Sequence, residues 1–392
     1  MSTLAYINPQ MLTWAREAQG LKLADVEERA NLKKVSSWEA GQEKPTMVQL
    51  RALSHLYRRP SALFYFPHPP ARPPRPQDFR SVQDKSERPL GTETLTELRL
   101  CESRRRSALE LAELLGVDAR TSLPAIDDND DLETIASVVR SALGIPDAPR
   151  VKDDKELLAL WIAALENANV LVFRSITLHG QNSSFREIRG SSAWFDEFPW
   201  MLLNSQEHPH GQLFTLAHEL AHLLLHGSGL CTLDEEDGSA EGRQERYCNS
   251  LAAALLMPRE LVQVHVGSGQ LTFAPSEALD RGLAFLQRQF HTSREAIARR
   301  LVTLGLTEWS NYHRIREEQI RLLQAEREQS REEAEGGGGP YYHLRVLKWN
   351  GAKYAGLVIE AFHQGKLSLG GAAGALRTKV NHFETLRREL YG

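Results

Sequence analysis

From Phe214 to Leu225 the chain reads FTLAHELAHLLL, an almost unbroken apolar run whose ionisable groups are His218, Glu219 and His222, with His226 directly after it. A helix of that composition has no polar face wide enough for solvent, so it belongs inside the core of a sizeable domain. Ionisable side chains carried into a core lose their hydration and need a partner there. Residues four apart share a helix face. The imidazoles of His218 and His222 can therefore reach one ion at about 2.0–2.1 Å, the usual Zn–N length. Glu219 projects beside them, where it can accept a proton from an attacking water. The plainer alternative is a surface helix with hydrogen-bonded histidines, and the apolar flanks weigh against it.

A catalytic zinc needs a third protein ligand and one open position. The best candidate is Glu245, at the head of a second apolar helix that runs through SLAAALL and stops at Met257-Pro258. Asn249, one turn later on the same face, can hydrogen-bond a ligand histidine and fix its orientation. Glu241 and the acidic loop Asp234, Glu235, Glu236 and Asp237 compete for the ligand role, although such charge runs ordinarily face water. His226 is expected at the helix C-terminus, where a cation is favoured, and not on the metal.

With 392 residues, 41% of them apolar, the chain has room for two or three domains. The net charge of -4 is ordinary for a soluble globular protein, yet residues 1–90 hold 14 Lys/Arg against 9 Asp/Glu, so a basic excess sits at the N-terminal end. Cys101, Cys231 and Cys248 are too few and too scattered for a disulfide framework, which points to a reducing, cytoplasmic compartment. No stretch approaches the roughly 18 apolar residues of a membrane span, nor does the N-terminus look like an export signal, so no membrane partner is expected. Helices are expected at about 92–115, 132–143, 153–167, 211–226 and 241–256, with strands at Val170–Phe173, Ala193–Phe195 and Trp200–Leu203. The segment near Trp200–Asn204 is expected at the sheet edge, where an extended peptide could add as a strand. Arg104-Arg105-Arg106 reads as a solvated helix face, with phosphate contacts as the alternative.

The run from Phe214 to His226, Glu245 and Leu255-Leu256-Met257-Pro258 together resemble the ImmA/IrrE family of bacterial metallopeptidases. That resemblance implies an α+β, mostly helical fold with a gluzincin-like core, a small β-sheet packed on two helices. It also implies Zn2+ on His218, His222 and Glu245, with Glu219 as the base. Cys248 stands where alanine is usual, a small replacement. Phe290–Leu301 is similar to the helical segment that follows the catalytic core in that family.

Leu12–Glu17, Gly20-Leu21, Trp38–Gly41, Pro45-Thr46 and Leu50–Tyr57 resemble an Xre-type helix-turn-helix domain. The stretch from Leu23 to Trp38 is shorter than that pattern by about two residues, and Lys33, Lys34, Ser36 and Ser37 are the candidates for DNA contact. The expected organisation is a helix-turn-helix domain at 1–66, a proline-rich linker at 67–91, a helical connector at 92–126 and the peptidase core at 127–262. A helical, helix-turn-helix-like lobe at 263–335 follows, and a glycine hinge with a small C-terminal helical module at 336–392 closes the chain. The expectation for function is a regulatory zinc endopeptidase. Its substrate would be a transcriptional repressor or antitoxin-like protein encoded nearby, and DNA would take part through the N-terminal helices or as an activator. The rival is a DNA-binding regulator or antitoxin whose zinc is structural.

Overall fold

The computed structural model of the chain describes residues 3–18, 21–29, 32–57, 59–69, 92–127, 129–175, 188–226, 230–232, 240–267, 277–318, 321 and 342–391. The proline-rich link from residue 70 onward, the acidic loop 233–239 and the glycine run 336–339 lie outside the described residues. Two compact units divide the chain, residues 1–99 and 100–392.

The first unit is a cluster of short helices: α1 (Pro9–Ala18), α2 (Leu23–Arg29), α3 (Val35–Glu39) and α4 (Met47–Leu56), followed by a 3-10 turn at Ser61–Tyr65. Its core gathers Met11, Leu12, Ala15, Val26, Val35, Trp38, Leu50, Leu53, Tyr57 and Phe64. These are the apolar positions at helical spacing in the sequence. Thr46 starts α4 with a capping box: its hydroxyl accepts the Gln49 N–H and the Gln49 side chain accepts the Thr46 N–H, which satisfies two donors that a helix start leaves open. The half-buried guanidinium of Arg16 grips Glu39 through two bonds of 2.8 and 2.9 Å, joining α1 to α3.

Helix α5 (Thr92–Leu115) carries the division between the units. Beyond it come α6 (Leu132–Ala142), α7 (Asp154–Asn167), β1 (Leu171–Arg174), β2 (Ile188–Ala193), β3 (Trp200–Leu203), α8 (Pro209–Leu224), β4 (Leu230–Thr232) and α9 (Ala240–Leu256). Then follow α10 (Arg259–Gly267), α11 (Glu277–Phe290), α12 (Arg294–Thr303), and a C-terminal set of α13 (Tyr342–Asn350), α14 (Ala352–His363), α15 (Leu369–Ala375) and α16 (Val380–Tyr391). No helix among the described residues is long and apolar enough to cross a membrane.

The four strands lie in the order β1-β3-β2-β4, with β1 parallel to β3 and the other pairs antiparallel. Strand β3 is therefore interior, and the expectation that Trp200–Asn204 forms the sheet edge is corrected: among the described residues β1 and β4 are the outer strands. The expected strand at Ala193–Phe195 is shifted too. Pairing begins at Ile188 and ends at Ala193, so Trp194 and Phe195 have already left the sheet.

Side chains alternate across the sheet. Val172, Met201 and Leu203 join the large core under α7, α8 and α9. On the opposite face, Phe173 meets Tyr354 of α14 edge-on and carries the Arg104 guanidinium over its ring. Strands covered on both faces need apolar residues at successive positions, which is why LVF and WMLL carry no alternation. The arginine triplet is likewise not a solvated face. Arg104 is buried against Phe173, Arg105 lies 3.5 Å over the Phe195 ring and donates to the Glu197 carbonyl, and Arg106 alone reaches outward, to Glu102.

Helix α8 lies on β2 and β3, and α9 packs along α8. Burying leucines such as Leu213, Leu216, Leu220 and Leu223 completely stabilises the fold by about 1.5–3 kcal/mol each. Two buried arginines close the end of α9, whose last carbonyls have no partner within the helix. Arg140 donates to the Leu255 carbonyl at 2.5 Å and Arg300 to that of Met257 at 2.9 Å, while Arg300 is itself held by Glu133 at 2.6 Å. Pro258 then prevents continuation.

Candidate metal centre

Helix α8 begins with Pro209, whose missing N–H costs nothing at a first helical position. It places His218, Glu219 and His222 in mid-helix, exposed by 1, 0 and 2%. Helix α9 brings Glu245 to the same point. The Nε2 atoms of His218 and His222 are 3.0 Å apart, and the Glu245 carboxylate lies 3.2 Å from the first and 3.3 Å from the second. Ligands on a tetrahedral ion at about 2.0–2.1 Å stand about 3.3 Å from one another, so the spacing fits a single small cation.

Each ring is also contacted on its far side. The Nδ1–H of His218 donates to Asn249 Oδ1 at 3.0 Å, and His222 Nδ1 lies 3.6 Å from Cys248 Sγ. The Nε2 atoms of both rings face the Glu245 carboxylate and each other. Two imidazole nitrogens and a carboxylate converging at that range are a donor set that suits a zinc-class cation. Asn249 lies one turn beyond Glu245 on α9. Cys248 is more than a small replacement, because its sulfur is the atom facing His222; burial pushes its thiol pKa upward. Burial alone would also raise Glu245, but its bonds to the two imidazoles hold it well below the usual carboxylate range.

Glu219 is held from β2, by a residue one position ahead of the strand expected at Ala193–Phe195. Ser192 of β2 donates to Glu219 Oε2 at 2.6 Å, whereas Oε1 has no hydrogen-bond partner among the described residues. Burial raises the Glu219 carboxyl to about 7; nearby His222 and the Ser192 bond pull the other way, and Glu245 adds to the rise. Two residues earlier on the same face, Gly190 makes room for the helix. A Cβ there would sit 2.5 Å from Thr215 Cγ2 and 3.0 Å from Glu219 Oε1. A glycine in a strand interior often marks such a close approach, and GSS beside a predicted strand was the one signal available.

Of the competing acids, Asp234, Glu235, Glu236 and Asp237 lie outside the described residues, and so does the side chain of Glu241. His226 follows the α8 C-cap in the left-handed region (φ 52°), its N–H bonded to the Leu223 carbonyl and its ring stacked on Trp194 at 4.2 Å. In the first unit, α3 is only five residues long. Lys33 and Ser36 are exposed, Ser37 is half-buried, and Lys34 pairs with Glu43 at 2.8 Å.

Comparison with known proteins agrees with this cluster. The radiation response metalloprotease IrrE of Deinococcus deserti is 45% identical over 74 residues, 18% of this chain and 26% of the relative. The protein of the same name from Deinococcus radiodurans is 32% identical over 113 residues, 28% of this chain and 34% of the relative. The chain thus spans about a third or less of the length of the curated relatives it matches. The IrrE N-terminal-like domain family, a metallopeptidase family, matches residues 166–302, which hold α8, α9 and the cluster of His218, His222 and Glu245.

Proposed function

We propose that the chain is a zinc-dependent endopeptidase in which His218, His222 and Glu245 hold the ion and Glu219 is the general base. The observation that carries this reading is the unpartnered Oε1 of Glu219, fully buried beside three converging ligand atoms. A purely structural zinc has no use for an ionisable carboxyl kept in that position. Bound zinc would polarise the scissile carbonyl and acidify the attacking water. Glu219, fixed through Oε2 by Ser192, takes the water's proton at Oε1 and returns it to the leaving amine. Asn249 keeps the His218 ring in the tautomer a cation requires. The outer strand β4, hydrogen-bonded to β2 on one side, supplies backbone groups for an extended peptide.

The substrate we propose is a protein partner encoded nearby, a transcriptional repressor or an antitoxin-like protein, cleaved in the reducing cytoplasm. The first unit would bring the protease to DNA through Lys33, Lys34, Ser36 and Ser37, in a helix-turn-helix arrangement. Lys34 would have to leave Glu43 to take part. Incubation of purified wild type and Glu219→Gln with the neighbouring-gene product and zinc tests the enzymatic reading. Cleavage by the wild type alone is expected, and equal cleavage by both sinks it. DNA-shift assays with Lys33→Glu separate DNA association from proteolysis.

A further inference from the structure

A second group of ligating side chains converges far from Glu219. Asp154 is the first residue of α7, His208 immediately precedes α8, His210 lies in its first turn, and His291 sits in the turn between α11 and α12. The Nδ1 atoms of His210 and His208 stand 3.6 and 3.9 Å from Asp154 Oδ2. His291 Nδ1 is 2.7 Å from Oδ1 of the same carboxylate. One ligand atom from each of Asp154, His208 and His210 lies within 4.8 Å of the others. An aspartate at a helix N-terminus is explained by the helix dipole alone. Three imidazoles from two other segments, gathered on that one carboxylate, are not.

The backbone at His291 adds an independent sign. It is left-handed (φ 52°) although the residue is not glycine, and its N–H is bonded to the Gln287 carbonyl at 2.8 Å. Such a conformation is strained for a residue with a Cβ and is kept where the surroundings demand it. Here it delivers the ring to Asp154 Oδ1, and the Nδ1–H donates there, leaving Oδ2 turned toward His208 and His210. A carboxylate steered by a hydrogen bond while its other oxygen faces two imidazoles is the usual build of a transition-metal site.

We propose that Asp154, His208 and His210 form a second binding site for a divalent first-row transition ion of the zinc class, with His291 as the residue that positions Asp154. Imidazole and carboxylate are the ligand set such ions accept. Bringing ligand atoms that lie within 4.8 Å of one another to the spacing of about 3.3 Å around a tetrahedral ion needs a closure of at most about 1.5 Å. His208, 64% exposed, has solvent room to make its share. A fourth position remains for water. Eight residues of α8 separate His210 from His218, a rise of about 12 Å, so the two sites hold separate ions. The ion would clamp the start of α8 to α7 and to the α11–α12 turn, bracing the helix that carries His218 and His222. The inference does not rest on the protease reading.

The test is stoichiometry on untagged, full-length, chelator-stripped protein titrated with Co(II) and with Zn(II). Wild type is expected to take two equivalents. The pair His208→Ala/His210→Ala should retain one equivalent, with affinity for the second reduced at least tenfold. His218→Ala/His222→Ala should also retain one, and added zinc should still raise its melting temperature. Asp154→Asn, which preserves shape, guards against misfolding of the histidine pair and should likewise drop to one equivalent. A His208/His210 variant that binds as many equivalents as wild type overturns the proposal.

Discussion

Replacing Gly190 with alanine inserts one methyl group where β2 and α8 approach most closely. The new carbon would stand 2.5 Å from Thr215 Cγ2, 3.0 Å from Glu219 Oε1 and 3.2 Å from Glu219 Cγ, against a preferred carbon–carbon separation of about 3.5–4.0 Å. About 1 Å must be recovered. Thr215 cannot turn away easily, because it is β-branched and its hydroxyl donates to Glu207 at 3.2 Å. Overpacking of this kind costs about 1–3 kcal/mol, and alanine's stiffer unfolded chain returns about 0.4–1 kcal/mol. The expected net loss is on the order of 1–2 kcal/mol in urea unfolding, with weaker zinc retention as Glu219 and its helix are pushed aside. The decisive measurement is the double variant Gly190→Ala/Thr215→Ser. Serine keeps the bond to Glu207 and deletes the clashing methyl, so most of the lost stability should return, with a coupling energy of about 1–2 kcal/mol. Wild-type stability in Gly190→Ala, or a double variant no better than the sum of the two singles, would refute the close-approach argument.

Three further outcomes are expected. Asn249→Ala removes the acceptor of the His218 Nδ1–H and should weaken zinc affinity about 10–100-fold in chelator competition; unchanged affinity would mean that ring needs no support. Ser192→Ala deletes the bond that lowers the Glu219 pKa, so the acid limb of the pH–rate profile should move to higher pH, and a shift to lower pH would contradict the assignment. Burial raises Glu166 from 4.5 to about 7, against its bonds from the Lys353 and Ala352 N–H groups. The folded state therefore holds that proton more tightly, and stability present below about pH 4.5 is lost as the pH rises through about 7, by up to about 3 kcal/mol. Glu166→Gln keeps an acceptor for the Lys353 N–H, so it should be more stable than wild type at pH 8 and close to it at pH 4.5. Equal differences at both pH values in urea melts would count against this.

The parts of the candidate site that could be read in the sequence are those set by local periodicity. His218 and His222 are one turn apart, as are Glu245 and Asn249, and helix geometry alone puts each pair on one face. Ser192 and Gly190 were hidden because their partner Glu219 lies 27 and 29 residues further along and their strand, IRGSSA, is poor in β-branched residues. Only sheet pairing brings them beneath α8. Strand order was equally out of reach, since β3 becomes interior through a parallel partner, β1, with β2 between them in sequence. The arginine triplet misled for a related reason. A charge run is ordinarily solvated, but Phe173 and Phe195, far away in the chain, offer aromatic faces to Arg104 and Arg105.

The side of β1 away from β3 is not open to water. Gly351, between α13 and α14, lies so near that a Cβ on it would be 2.5 Å from the Val172 carbonyl oxygen and 2.7 Å from Glu166. Its φ of 71° also suits glycine alone. Glu166 accepts the Lys353 N–H at 3.1 Å, capping α14 from the end of α7. The segment that resembles other proteins stops at residue 302, yet the wall of its sheet is supplied from beyond residue 342. Evolutionary kinship and mechanical self-sufficiency therefore have different borders in this chain. A fragment trimmed to the borrowed part would carry His218, His222 and Glu245 and still present a raw strand, ready to pair with its own copies.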